Sequence, residues 1–175
     1  MSASARSAST PLLNVVAFLS LLSCGAIFGF FYAWVCSTMW GLDTADPAVA
    51  IAAMQAMNAS VRNAVFFPAF FLTPVILLIA ASMAVASGRR TSALGFTAAA
   101  LGYLVGAFAA TMLVNVPMNE ALAVVEIPSV TDEARRIWQA FSGPWQVWNL
   151  VRTIASGIAL MLCGDAILRL GGEGA

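Results

Sequence analysis

The fold of this chain is decided by residues 65–116, VFFPAFFLTPVILLIAASMAVASGRRTSALGFTAAALGYLVGAFAATMLVNV, in which two apolar runs flank a short basic turn. Each run exceeds the roughly 20 residues that a helix needs to cross the hydrocarbon core of a bilayer. The turn between them, at 87–90, contains Gly88 and two arginines. The stretch therefore predicts two spanning helices, 65–86 and 91–116, that form a hairpin through the membrane.

Two further apolar runs lie outside this hairpin, at 12–34 and at 145–170. Together the four runs predict an all-α fold, a four-helix transmembrane bundle that makes a single membrane domain over residues 1–175. A cleaved secretory signal is the alternative reading of the first run. The apolar residues continue past Cys24 to Trp34, however, which is farther than the short core of a signal extends.

Composition supports this class of protein and excludes several functions. The chain is 61% hydrophobic and 9% charged, with a mean hydropathy of +0.90, which is too apolar for a soluble domain of 175 residues. It has no histidine, so imidazole is excluded as a general base, a haem ligand or part of a two-histidine iron site. Its three cysteines show no metal-binding spacing, and its balanced charge offers no basic patch for nucleic acid.

The first long connection, 35–64, contains its own helix signal. Asp46 followed by Pro47 is typical of a helix N-terminus, so a helix is predicted over 47–64. Its polar residues are spaced three and four apart and share one face, namely Gln55, Asn58 and Arg62. The spacing leaves open whether this helix lies flat at the membrane surface or dips into the bilayer.

The second long connection, 117–144, contains another signal of the same kind. Thr131, Asp132 and Glu133 are typical of a helix start, and Ser142-Gly143-Pro144 is typical of a break. A short amphipathic helix is therefore predicted over 131–141. The bundle is thus expected to carry two short amphipathic helices in its two long connections.

Arginine placement predicts the orientation of the bundle. Arg89 and Arg90 in the tight turn, with Arg6 and Arg169 near the two ends, mark that side as cytoplasmic by the positive-inside rule. Both termini are therefore expected in the cytoplasm, and both long connections outside it. The expected location is the inner membrane of a bacterium.

Polar residues that interrupt apolar sequence converge at the outer end of this predicted bundle. They come from three segments: Asn58, Arg62 and Asn63; Asn115, Asn119 and Glu120; Asn149 and Arg152. Arg152 lies about 10 Å inside the fourth helix, where an unpaired charge costs several kcal/mol. One interpretation is a structural clamp between Arg152 and Glu120. The other is a polar pocket beneath an aromatic lid formed by Trp145 and Trp148.

The same residues carry a family resemblance. Asn115-x-Pro117-x-Asn119, followed by Trp145-x-x-Trp148-Asn149-x-x-Arg152-Thr153, resembles the anthrone oxygenase-like membrane family, over roughly residues 15–165. The run 53–58, continuing to Arg62 and Asn63, is similar to the family's first connection. The resemblance implies oxidation of an anthrone to an anthraquinone with neither a metal nor another cofactor.

The residues suit that chemistry, which requires a base, donors for an oxyanion and a dry, flat pocket. We assign catalytic roles to Glu120 as the base and to Arg152 and Asn119 at the oxyanion. Two roles stay open for Arg62, pairing with Glu120 or closing the entrance. Substrate binding is assigned to the remaining polar and aromatic residues: Asn58, Arg62, Asn63, Asn115, Trp145, Trp148 and Asn149. The expected partners are a lipophilic small molecule, dioxygen and membrane lipid.

A non-catalytic membrane module that binds a lipid, a quinone or a protein partner is the alternative function. A transporter is less favoured because the chain shows no inverted repeat. Gly102 and Gly106 form a GxxxG motif that predicts the close approach of another backbone. The motif leaves a homo-oligomer open.

Overall fold

A computed structural model describes residues 3–172 of the chain, with side chains described from 11 to 171. Every regular element in this part of the chain is helical. The α-helices are α1 Ala3–Ala33, α2 Met39–Thr44, α3 Pro47–Ser60, α4 Phe66–Ala86, α5 Arg90–Gly102, α6 Val116–Ala123 and α7 Thr131–Gly172. Three π-helical segments interrupt them, Trp34–Thr38, Tyr103–Phe108 and Thr111–Asn115. The predicted roles of the Arg6 side chain and of the tail at 173–175 lie outside the described residues.

Four helices of the described chain are long and apolar enough to cross a membrane. They are Pro11–Thr44, Phe66–Ala86, Arg90–Ala123 and Thr131–Gly171. The prediction of an all-α, four-helix membrane bundle is therefore confirmed, and the protein is an integral membrane protein.

The tight turn after α4 is closed by a glycine. Gly88 has a φ of 78°, which L side chains rarely adopt. Its N–H donates to the carbonyl of Val85 at 2.9 Å, and the N–H of Arg89 donates to Ala84 at 2.9 Å. This is the Schellman pattern that ends helices. The guanidinium of Arg89 also donates to the carbonyl of Leu170, which places the turn beside the C-terminal end of α7.

Small residues set the spacing between the third and fourth spans. A Cβ added at Gly106 would lie 2.4 Å from the Cβ of Ala155, and one at Gly95 would lie 2.9 Å from the Cβ of Ala166. A Cβ added at Gly102 would meet no other helix within 4 Å among the described residues. Within one copy of the chain the predicted close approach occurs at Gly106 and not at Gly102, because the residues that face α7 are eleven apart, about three helical turns.

A tyrosine compensates for the proline inside α4. Pro74 has no N–H, so the carbonyl of Phe70, one turn earlier, loses its helical donor. The hydroxyl of Tyr103 donates to that carbonyl at 2.8 Å. The third span therefore stabilises the second at the point where the second would otherwise expose an unsatisfied group to hydrocarbon.

The third span is longer than the sequence predicted. Its helix does not end at 116 but continues through Pro117 to Ala123. Pro117 lies at the junction between the π-helical segment Thr111–Asn115 and α6, where the regular helical hydrogen-bond pattern changes. The polar stretch 115–120 is therefore helical, and its side chains keep a fixed helical register.

The fourth span also corrects a prediction, because no break occurs at 142–144. The predicted helix 131–141 is instead the first part of α7, which runs from Thr131 to Gly172 through Pro144. The carboxylate of Asp43 accepts hydrogen bonds from Trp138 Nε1 at 2.9 Å, Ser142 Oγ at 2.6 Å and Gln146 Nε2 at 2.9 Å. These donors lie before and after the proline on one face, so Asp43 ties the helix together across it.

The helix in the first connection is a separate element, α3, which begins at the predicted Pro47 and ends at Ser60 instead of at residue 64. Asp46 accepts from the N–H groups of Ala48 at 2.9 Å and Val49 at 3.3 Å, and Pro47 follows it at the first position of α3. Gln55 donates to the carbonyls of residues 122 and 125, both at 2.9 Å. Its polar face is therefore turned partly toward protein, and α3 packs against α6 and α7 over the end of the bundle.

Candidate active site pocket

A cavity of about 280 Å³ opens at the end of the bundle that carries the long connections. This volume is near the lower end of the range for small-molecule pockets. Its aromatic walls are Phe30, Phe31, Trp34, Phe66, Phe67, Phe70, Phe71 and Trp145. Its polar walls are Asn58, Arg62, Thr111, Asn119, Glu120 and Arg152.

Arg152 is the buried cation of this cavity, with 5% of its surface exposed. Its Nε donates to Asn149 Oδ1 at 3.0 Å, and its Nη1 donates to Thr111 Oγ1 at 3.5 Å. The guanidinium carbon lies 4.4 Å from the ring centroid of Phe31 and 4.9 Å from that of Trp145. Within residues 11–171 no carboxylate forms an ion pair with it. The positive charge is therefore offset only by ring faces and neutral dipoles.

Asn149 positions this arginine from behind the cavity wall. Its Nδ2 donates to the carbonyl of Phe31 at 3.2 Å, close to the point where α1 becomes π-helical. Its Oδ1 accepts from Arg152, so both ends of the amide are used. Asn149 is not part of the cavity lining, and it links the first and fourth spans at the depth of the charge.

Trp145 is held rigidly against the cavity by two asparagines. Its Nε1 donates to Asn119 Oδ1 at 2.8 Å, and its carbonyl accepts from Asn115 Nδ2 at 3.3 Å. Asn119 lines the cavity, and its Nδ2 makes no hydrogen bond with another described residue. Asn115 lies behind the wall, where its Oδ1 is buried without a partner in the described part of the protein.

Asn58 supplies a second unsatisfied group, and this one belongs to the cavity lining. Its surface is 8% exposed, and its Nδ2 is buried without a hydrogen-bond partner among the described residues. A buried donor left in this state costs about 1–3 kcal/mol. The cavity therefore holds amide donors from α3 and α6 beside a cation from α7, and a bound acceptor would satisfy them.

Arg62 and Glu120 form an ion pair at the rim of the cavity. Their side chains are 51% and 53% exposed, so the pair contributes little to stability. The interpretation of Glu120 as a clamp for Arg152 is wrong. Arg152 contacts Thr111, which lies nine residues before Glu120 and therefore roughly 13 Å deeper along the same helical path. At that separation Glu120 pairs instead with Arg62, in the connection after α3.

Six of the ten predicted site residues line the cavity, and four do not. The six are Asn58, Arg62, Asn119, Glu120, Trp145 and Arg152. Besides Asn115 and Asn149, which lie behind the wall, Asn63 and Trp148 are also absent from the lining. Asn63 caps the start of α4, where its Oδ1 accepts from the N–H groups of residues 65 and 66, both at 2.9 Å. Trp148 is exposed on α7.

Apart from Trp145, the aromatic wall residues were not predicted as site residues. Phe30, Phe31 and Trp34 end the first span, and Phe66 and Phe70 begin the second. In sequence they are ordinary apolar residues of spans. Their clustering at the two span ends that meet the polar connections is the signal that identifies them.

Metal binding has no visible support in the described side chains, where no group of three or more Cys, Asp or Glu residues is placed to hold an ion.

The fold and the cavity define a class of protein: a small helical membrane protein with an aromatic pocket around a buried arginine. A model of the anthrone oxygenase family matches residues 57–162, and the chain belongs to this family, as the resemblance predicted. The match includes all six polar wall residues. No curated protein and no solved structure matches the chain.

Proposed function

We propose that this protein is a membrane oxygenase that oxidises an anthrone, or a similar lipophilic aromatic with an acidic ring methylene, to a quinone. The observation that supports this most directly is that the buried Arg152 has no carboxylate partner among the described side chains. A cation in that state favours a ligand that carries or develops negative charge, because the low dielectric strengthens their attraction.

The proposed reaction needs dioxygen and a base. The base removes one methylene proton, which leaves an enolate whose charge lies on the ring oxygen. The carbanion carbon transfers electrons to dioxygen and forms a C–O bond, giving a hydroperoxide once a proton is added. Loss of one water from that carbon leaves the quinone carbonyl. One dioxygen is thus consumed, one of its atoms enters the product, and the other leaves as water.

The cavity residues divide between these steps. Arg152 donates to the enolate oxygen together with the amide groups of Asn119 and Asn58, of which the Asn58 Nδ2 has no partner among the described residues. These donors favour loss of the ring proton. Glu120 accepts that proton at the rim, where Arg62 holds its carboxylate. The aromatic walls stack on the flat substrate and exclude water. No cofactor enters this scheme.

The proposed setting is the inner membrane of a bacterium. The turn beside Arg89 faces the cytoplasm, and the cavity faces the opposite side.

Purified protein in lipid nanodiscs tests this proposal. An anthrone is added in air, and quinone absorbance and oxygen consumption are followed against protein-free nanodiscs. The expected result is oxidation faster than the spontaneous rate with one dioxygen consumed per quinone, lost in Arg152→Met and kept in Arg135→Met. Arg135 is an exposed arginine on the same helix, paired with Asp132 at 3.3 Å. No acceleration with any of several anthrones would refute the activity.

A non-catalytic module that binds an anionic lipophile is the second candidate. The observation that favours it is the ion pair of Glu120 with Arg62, which leaves the carboxylate already engaged. Such a module predicts saturable binding of a hydroxylated anthraquinone that depends on Arg152, without turnover of any anthrone. It also predicts that Glu120→Gln leaves this binding unchanged.

A further inference from the structure

The second and third spans separate as they approach the cavity. Near the tight turn α4 packs along α5, and contact continues as far as Phe108. The ring of Phe108 stacks on Phe70 with centroids 5.2 Å apart and meets Phe71 edge-on at 5.6 Å. Beyond Phe108, the part of the third span at 111–123 has no extended contact with α4. A gap between the two spans therefore begins at this ring and extends toward the cavity end of the bundle.

The side chains on both edges of the gap belong to the cavity and to the outer surface at once. Phe67 and Phe71 on α4 are 42% and 41% exposed, and Met112 on the third span is 38% exposed. All three line the cavity, as does the half-buried Val116. Wall residues that are also exposed mark an opening. Because both helices span the membrane, this opening faces lipid.

The side of the cavity toward water is bordered by charged side chains instead. The ion pair of Arg62 with Glu120 joins the connection after α3 to α6 across the rim. Met57 and Val61, at the end of α3, also contribute to the wall there. An exposed ion pair therefore borders this side, whereas the apolar side chains of Phe67, Phe71, Met112 and Val116 border the gap between the spans.

We propose that ligands enter the cavity sideways from the bilayer, through a portal formed by Phe67, Phe71, Met112 and Val116. The class of ligand is a flat aromatic molecule that is uncharged while dissolved among acyl chains. Its ionisation beside Arg152 rests on the proposed function, whereas the route does not. A carbon acid such as an anthrone meets this requirement because it is neutral until it loses the ring proton. The portal thus selects for lipophilicity before the charged end of the cavity selects for acidity.

Fluorescence of Trp145 tests the route without any turnover. This indole is 1% exposed and lines the cavity, and its emission is obtained by subtracting Trp145→Phe from the wild type in nanodiscs. Bromonaphthalene dissolved in the lipid is expected to quench it, while aqueous iodide is not. Filling the portal with Met112→Phe and Val116→Phe should reduce quenching by bromonaphthalene several-fold. The matched control, Val105→Phe with Leu113→Phe, adds the same bulk to exposed positions of the same span that do not line the cavity.

The outcomes separate the route from the reaction. Quenching by iodide but not by bromonaphthalene would overturn the portal and show entry from water. Equal quenching in the filled and control variants would overturn it as well. Normal portal behaviour in a protein that oxidises no anthrone would defeat the proposed function alone, and anthrone oxidation with iodide access would defeat the portal alone.

Discussion

Replacing Arg152 with methionine separates a ligand site from a structural anchor. The guanidinium lies over the rings of Phe31 and Trp145, and losing these two contacts costs about 0.5–2 kcal/mol each. Leaving Asn149 Oδ1 without its donor costs about 1–3 kcal/mol more. These losses are opposed by the removal of a buried charge that has no carboxylate partner among the described residues. Desolvation of such a charge costs several kcal/mol. Because these terms oppose each other, we expect the free energy of unfolding to change by no more than about 2 kcal/mol.

The effect on the reaction is expected to be much larger than the effect on stability. Loss of one preorganised donor to a developing oxyanion typically lowers turnover by about 10²–10³-fold. Quinone formation per folded molecule and unfolding in nanodiscs are measured on the same preparation. The matched variant Arg135→Met, on the exposed face of α7, should change neither.

A larger effect on the free energy of unfolding than on turnover would refute the assignment of Arg152 to a ligand site. Arg152→Met that unfolds the protein, or lowers its stability by well over about 3 kcal/mol, would identify a structural charge whose removal strands its neighbours. The same conclusion follows if turnover per folded molecule stays at the wild-type level.

Four further substitutions test the rim, the fourth span and the second span. Glu120→Gln should lower anthrone oxidation by about 10²–10⁴-fold, as loss of a general base does. Arg62→Gln breaks the same exposed pair and should keep most of the rate. Equal losses of rate in the two variants would give the pair a structural role. Asp43→Asn weakens three hydrogen bonds to α7 and should lower the free energy of unfolding by about 2–4 kcal/mol. An unchanged melting temperature would mean that α7 continues through Pro144 without these hydrogen bonds. Tyr103→Phe removes the donor to the carbonyl of Phe70 and should cost about 0.6–1.7 kcal/mol in a denaturant titration, the range for hydrogen bonds between spanning helices. No loss there would mean that another donor reaches the carbonyl.

The cavity explains how one small bundle can present a charge to an apolar ligand. Arg152 is held from behind by Asn149 and from the sides by aromatic rings, so its geometry is set before anything binds. Preorganisation of this kind removes the cost of reorienting dipoles during a reaction. The folded state is instead destabilised by the buried cation and by the Asn58 amide, which has no partner among the described residues.

Hydropathy and local signals in the sequence determined the spans, the tight turn and the cap at Asp46, because each depends on neighbouring residues alone. Length and apolar content are sufficient to recognise a spanning helix. The convergence of polar residues at one end of the bundle also followed from the order of the spans. For this reason the position of the candidate site was predictable, and six of its ten proposed residues do line the cavity.

Only the tertiary structure decided which residues meet. Each step along a helix turns a side chain by about 100° and raises it by 1.5 Å, so partner choice depends on rotations and depths that hydropathy does not encode. Lipid-facing and protein-facing apolar residues look alike in a membrane helix. Glu120 therefore met Arg62 instead of Arg152, and the phenylalanine walls were not recognised. Helix α7 likewise continues through Pro144 because Asp43, about a hundred residues away in sequence, accepts hydrogen bonds from Ser142 before the proline and from Gln146 after it.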